Sequence, residues 1–245
     1  LAGFVTAIIH NRLHVPHLLA GILTMTMLYS VNIRVLGNRA NLPLIREETI
    51  LTRVTGLLEG FGIPDSIALL LFFIVLVIGI MLLLDLFFVT DLGLTIGALG
   101  NNQQMVLSQG VNPAHLKLIG VGLSNGLVSL AGAFAAQYQG FADVSLGQGI
   151  IVTGLASVMI GEFLLRSNRI VLLTLRVVLG AIVFKGIMFL GRYYGYHINL
   201  TPNDLKLITG ILIIISLIIT TFGQRGKKTA RESVVRALEG SLGGK

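Results

Sequence analysis

The chain has 245 residues, of which 54 % are hydrophobic and 12 % are charged, whereas soluble domains carry about 25 % charged residues. Its mean hydropathy of +0.87 excludes both a soluble fold around one core, which needs polar surface, and a disordered chain, which lacks apolar mass. The formal charge of +7 is typical of basic loops in a membrane protein, and we therefore exclude nucleic acid as a partner.

Apolar runs predict an all-α polytopic membrane protein. A spanning helix needs about 20 residues, so the nine-residue run at the start is expected to be the end of a truncated helix. With that helix the count is about seven transmembrane or partly spanning helices. The other predicted helices cover residues 16–36, 66–89, 116–137, 149–165, 170–190 and 205–222.

The distribution of Lys and Arg predicts the orientation. Residues 224–245 form a basic tail with five Lys and Arg side chains directly after the last span, which places the tail in the cytoplasm. Counting back, residues 95–113 are cytoplasmic, while 37–64 and 138–148 are external. The transmembrane domain is therefore predicted over residues 1–223, with the cytoplasmic tail following it.

Two similar strings suggest an internal symmetry. Residues 2–7 read Ala-Gly-Phe-Val-Thr-Ala, and residues 131–136 read Ala-Gly-Ala-Phe-Ala-Ala, on spans of opposite predicted direction. Opposite direction with a similar pattern favours an inverted repeat, which in transporters places a path between the halves.

The cytoplasmic loop 95–113 contains signals for a short helix. Asn101 or Asn102 can cap its N-terminus, Gly110 can end it in a left-handed conformation, and Pro113 prevents its continuation. A helix of about two turns is unstable alone, so a partner should hold it. We interpret it as a coupling helix that docks into a soluble motor subunit; the alternative is an ordinary interfacial loop.

Polar residues inside the predicted spans are candidates for a substrate path. A lipid-facing helix gains nothing from such side chains, so they should face protein or a cavity. The candidates are Thr24, Tyr29 and Asn32 in the span 16–36, and Gln137, Gln139 and Asp143 at the interruption after residue 137. For Asp143 the alternative role is to satisfy the backbone of a broken helix.

Catalytic and metal sites are not predicted. Ser124 lies in a G-x-S-x-G string, but the nucleophile motif needs a strand-turn-helix context, and here the string falls in an apolar helix. Gly122 and Gly126 instead form G-x-x-x-G, which favours close helix packing. The five His residues show no metal-ligand spacing.

The loop resembles that of ABC importer permeases of the ribose and branched-chain amino acid permease class, which carry an A-x-G-x-N-x-x-A-A-x-x-x-G-like pattern. Ala98, Gly100, Asn102 and Gly110 fall on this pattern, while Met105 and Val106 replace its two Ala residues. Residues 143–162 resemble a second apolar segment of the class. The resemblance is closest to a branch of uncharacterised permeases, through residues 19–24 and 137–143.

This resemblance implies a permease subunit that works by alternating access and is not itself an enzyme. The implied partners are a second permease copy, cytoplasmic ABC ATPase subunits and an external solute-binding protein, in a bacterial cell membrane. ATP and Mg are expected on the ATPase, because the chain has no P-loop motif. The ATPase-coupling residues would be Ala98, Gly100, Asn102, Met105, Val106, Ser108 and Gly110.

Two other functions remain open from the residues. An ion-gradient-driven secondary transporter would favour paired central acids, which the spans lack. An intramembrane hydrolase would rest on Ser124 alone. The branch resembles amino-acid permeases, so an amino acid is the expected substrate.

Overall fold

A computed structural model describes residues 1–147, 150–165, 170–195, 210, 211 and 214. The chain divides into two compact units, residues 1–147 and residues 148–245. Most of the predicted last span 205–222 and the whole basic tail 224–245 lie outside the described residues.

Helices make up most of the described residues of both units. The first unit contains α1 (Ala2–Leu13), α2 (His17–Val35), β1 (Asn41–Pro43), α3 (Ile50–Glu59), α4 (Asp65–Val89), α5 (Asp91–Asn101), α6 (Gln103–Ser108), α7 (Pro113–Gln139) and β2 (Phe141–Asp143). The described part of the second unit contains α8 (Ile150–Leu164) and α9 (Ile170–Gly195).

Four of the described helices are long and apolar enough to cross a membrane: α2, α4, α7 and α9 up to residue 191. Helix α4 is the most apolar of the four, with Asp65 and Asp85 as its only charged residues. Helices α1 and α8 have 12 and 15 residues, which is short of the roughly 20 that a span needs. The chain is therefore an integral membrane protein, and the count of seven spans stays a prediction.

The fold departs from the all-α prediction in one place. Strands β1 and β2 pair antiparallel, with Asn41 opposite Asp143 and Pro43 opposite Phe141. Gly37 and Gly140 adopt left-handed φ angles of 69° and 77° where α2 and α7 end, and this conformation turns both segments out of the helix axes. Strands of three residues are too short for an alternating pattern to reveal them.

Helix α1 packs against both α2 and α7. Gly3 lies so close to α7 that a Cβ on it would be 2.7 Å from the carbonyl oxygen of Val121. On the side of α1 that faces α2, the hydroxyl of Thr6 donates to the hydroxyl of Thr24 at 2.9 Å. Close backbone approach and interhelical hydrogen bonds are the usual contacts between helices in membranes, and here they fix α1 between two spans.

Candidate coupling helix and transport path

Helix α6 begins at the cap that the sequence predicts. Of the two candidates, Asn102 is the cap: its Oδ1 accepts hydrogen bonds from the backbone N–H groups of Gln104 and Met105 at 3.0 and 3.2 Å. Asn101 is instead the last residue of α5. Helix α5 therefore covers the first part of the predicted loop, and Ala98 and Gly100 lie on it rather than on α6.

The end of α6 also follows its sequence signals. Gly110 has a φ of 76°; its N–H donates to Leu107 O at 3.0 Å, and the N–H of Val111 donates to Val106 O at 3.3 Å. These two bonds form a Schellman motif, which satisfies carbonyls that a helix end leaves open. Asn112 then caps α7, which begins at Pro113, so only residues 109–112 separate the two helices.

The side chains of α6 divide into an anchor and an outer face. Val106 is 1 % exposed and anchors α6 to the rest of the first unit. Met105 and Leu107 are 50 % and 49 % exposed. At about 100° per residue, Gln104 and Ser108 point opposite to Val106, with Met105 and Leu107 on either side. The outer face is therefore a small polar centre between two apolar flanks.

The path candidates on α2 have different environments. Thr24 is buried; it accepts from Thr6 and donates to the carbonyl of Ala20 at 2.9 Å. Tyr29 and Asn32 are exposed in the described structure, three residues apart and so on one side of α2. Thr24 thus has a packing contact that its sequence position alone does not indicate.

Gln137, near the end of α7, and Asp143, in β2, both contact the segment between α2 and α4. Gln137 Oε1 accepts from the backbone N–H of Ile50, in the first turn of α3, at 3.0 Å. Asp143 Oδ1 accepts from the N–H of Ser145 at 2.7 Å, and Gln139 is exposed. The hydrogen bonds of Thr24, Gln137 and Asp143 therefore link each of them to its own neighbours, not to one another.

Ser124 lies within α7 and is exposed. The strand and sharp turn that hold a nucleophile in the G-x-S-x-G motif do not surround it. Of the two glycines of the G-x-x-x-G pattern, Gly122 lies against the ring of Phe4 on α1, whereas a Cβ on Gly126 would meet open space. The pattern therefore predicts one of the two packing contacts correctly.

A polar cluster that the sequence reasoning missed joins the α1–α2 turn to the start of α7. His10 Nδ1 lies 2.7 Å from the carbonyl oxygen of Val15, and its Nε2 lies 3.4 Å from Lys117 Nζ. The ring of His17 stacks on that of His10 with centroids 3.4 Å apart. Asn11 Nδ2 donates to the carbonyl of Ala114 at 3.1 Å. In the sequence, the one indication of this cluster is that its polar residues lie near the ends of predicted spans.

Known proteins resemble this chain over most of its length. The family described as "Branched-chain amino acid transport system / permease component" matches residues 1–217. The tyrosine transport system permease protein of Clostridioides difficile (strain R20291) is 37 % identical over 228 residues, 93 % of this chain and 72 % of that protein. An uncharacterised protein of Rickettsia prowazekii (strain Madrid E) is 31 % identical over 216 residues, 88 % of this chain and 73 % of its own length. No solved structure matches.

Proposed function

The chain belongs to the family of permease components of branched-chain amino acid transport systems, and on this premise we propose that it is the permease subunit of an ABC importer for an amino acid. The name of the Clostridioides relative supports an amino-acid substrate, and free tyrosine is the first ligand to test. The proposed complex pairs two permease copies with cytoplasmic ABC ATPase subunits, which bind ATP and Mg, and with an external solute-binding protein. The proposed location is the bacterial inner or plasma membrane, with the C-terminus in the cytoplasm.

The observation that carries the coupling role is the arrangement of α6. Six residues are too few for a stable isolated helix, yet α6 has a side-chain cap, a Schellman end and a buried Val106 anchor. These contacts hold Met105 and Leu107 outward at half exposure, and a flexible Met suits a protein-binding surface. We infer that the ATPase receives this outer face of α6.

The test is substrate-stimulated ATPase activity of the reconstituted complex carrying Met105→Asp. Burying an unpaired carboxylate at an interface is costly, and each loss of about 1.4 kcal/mol is tenfold in affinity, so stimulation should fall roughly tenfold or more. Met105→Leu keeps the apolar volume and should retain stimulation. Normal stimulation by Met105→Asp, in protein that inserts at wild-type yield, would contradict the assignment.

We further propose that the polar side chains of α2 and of the α7–β2 end line the transport path. Tyr29 and Asn32 are the clearest probes, because both are exposed on one side of a spanning helix, and the 245 residues contain no Cys. Single Tyr29→Cys and Asn32→Cys variants should react with a water-soluble thiol reagent at a rate that depends on ATP. Val31→Cys, on the same exposed helix, is the lipid-facing control; equal inertness of all three in every nucleotide state would reject this path.

A further inference from the structure

In the cluster at the α1–α2 turn, the two ring nitrogens of His10 face groups of opposite hydrogen-bonding character. The Val15 carbonyl only accepts hydrogen bonds, and it lies 2.7 Å from His10 Nδ1, so Nδ1 must carry a proton. The Lys117 ammonium only donates, and it lies 3.4 Å from Nε2, so a hydrogen bond between them needs Nε2 as the acceptor. The neutral ring with its proton on Nδ1 satisfies both contacts.

Protonation of His10 would reverse the contact with Lys117. The protonated ring presents an N–H at Nε2, so two donors and two positive charges would face each other. No carboxylate in α1, α2 or α7 compensates, because none of these three helices contains Asp or Glu. The ionisable groups that face His10 are His17 from α2 and Lys117 from α7; Arg12, His14 and His115 at the same end are exposed.

This contact lies between α6 and α2, the helix that carries the path candidates Thr24, Tyr29 and Asn32. Residues 109–112 connect α6 to α7, and Lys117 is in the second turn of α7. His10 also holds the α1–α2 turn, through the Val15 carbonyl and through its stacking on His17, the first residue of α2. A displacement of α6 by a partner would therefore reach α2 through Lys117 and His10.

We propose that His10 and Lys117 are positioning residues that transmit movement of α6 to the α1–α2 hairpin, and that acidification disconnects them. The proposal rests on the proposed function in giving α6 the role of input. Asn11 supplies a second link between the same helices, from its amide to the Ala114 carbonyl. Because that link contains no group that titrates near neutral pH, it keeps α1 near α7 while the His10 contact opens.

The first experiment measures the junction without any transport activity. Spin labels are placed on the full protein at Leu13→Cys and Ile119→Cys, exposed apolar positions at the end of α1 and near the start of α7. Histidine is the side chain whose charge normally changes between about pH 5 and 8, so label distances are compared at about pH 8 and about pH 5.5. We expect a longer-distance population at the acidic pH.

Three variants separate positioning from a general structural role. His10→Gln cannot become charged and should remove the pH response of the label distances. Lys117→Met removes the second cation and should remove it too. Asn11→Ala is the matched control: it loses an amide contact but should keep the pH response. A wild-type protein with identical distances at both pH values, or a His10→Gln protein that responds like the wild type, would overturn the proposal.

The second experiment uses substrate-stimulated ATPase activity of the complex. In the wild type, stimulation should fall roughly fivefold or more on acidification, which is within the usual range of coupling between sites. In His10→Gln, this decrease at acidic pH should be much smaller. A complex that shows no stimulation at any pH contradicts the proposed function, while the label distances still test the His10–Lys117 contact independently. If acidification lowers stimulation in His10→Gln and in Lys117→Met as much as in the wild type, the transmission role alone is rejected.

Discussion

In the described residues, each unit of the protein contains a helix crossing in which glycine permits close approach, and these two crossings are built differently. Between α8 and α9, glycine faces backbone from both sides: a Cβ on Gly180 would lie 2.6 Å from the Gly161 nitrogen, and a Cβ on Gly161 would collide with the Arg176 carbonyl. Between α1 and α7, Gly3 faces the Val121 carbonyl, but Gly122 faces the ring of Phe4.

The two crossings differ in which of the contacting atoms can move when one helix shifts against the other. Backbone cannot retreat without shifting a whole helix, whereas an aromatic ring can turn within its site. The α8–α9 contact should therefore behave as a fixed hairpin. The α1–α7 contact combines one rigid side with one adjustable side, and it also includes the His10–Lys117 and Asn11–Ala114 contacts. That construction suits a junction which changes during transport.

The largest effect is expected at the α8–α9 crossing. Overpacking a close contact costs about 1–3 kcal/mol, occasionally more, and both partners here are backbone, so Gly161→Ala and Gly180→Ala should lower the free energy of unfolding by at least that amount. The measurement is thermal unfolding in detergent together with the yield of monodisperse protein.

Gly154→Ala and Gly186→Ala provide matched controls on the same two helices. A Cβ at either position would meet open space in the described structure, so these variants should be at least as stable as the wild type, with a gain of up to about 1 kcal/mol from helix propensity. Wild-type stability of Gly180→Ala would mean that the two backbones are not in contact, and the contrast with the α1–α7 crossing would disappear.

What the sequence could reveal depended on the range of the contacts. Helix α4 follows from a continuous apolar run, and α6 follows from local caps at Asn102 and Gly110, because these signals lie within a few residues of their effect. The seven-span count and the inverted repeat concern the whole chain, and both stay predictions.

The contacts of the path residues could not be predicted from local sequence patterns. Thr24 is a path candidate because it is polar, yet its contact is Thr6, 18 residues away. His10 and Lys117 are 107 residues apart, and no local pattern joins them. Membrane helices are apolar on most sides, so periodicity does not indicate which side meets another helix. Only the folded arrangement reveals these pairs.

An intermediate effect is expected on the rigid side of the α1–α7 crossing. In Gly3→Ala, the new methyl would approach the Val121 carbonyl oxygen at 2.7 Å and Asn125 Cβ at 2.9 Å. The cost of about 1–3 kcal/mol applies to only one side of this crossing, because the other side is the movable ring of Phe4. We therefore expect a smaller loss of thermal stability than for Gly180→Ala, with the spin-label distance between residues 13 and 119 increased at all pH values.

The smallest effect is expected at Gly122, on the adjustable side of the same crossing. A Cβ there would lie 3.2 Å from two ring carbons of Phe4, so the ring has to move by only a few tenths of an ångström. Replacing Gly by Ala inside a helix also gains about 1 kcal/mol of helix propensity, which opposes the cost of displacing the ring. Gly122→Ala should therefore change the free energy of unfolding by less than about 0.5 kcal/mol, the usual limit for substitutions that disrupt no packing or hydrogen bond.

Combining Gly122→Ala with Phe4→Leu should show coupling, because contacting residues deviate from additivity by about 0.5–3 kcal/mol. The double variant should be more stable than the sum of the single changes predicts. Additive effects, or a loss at Gly122→Ala as large as at Gly180→Ala, would show that the two crossings are equally rigid.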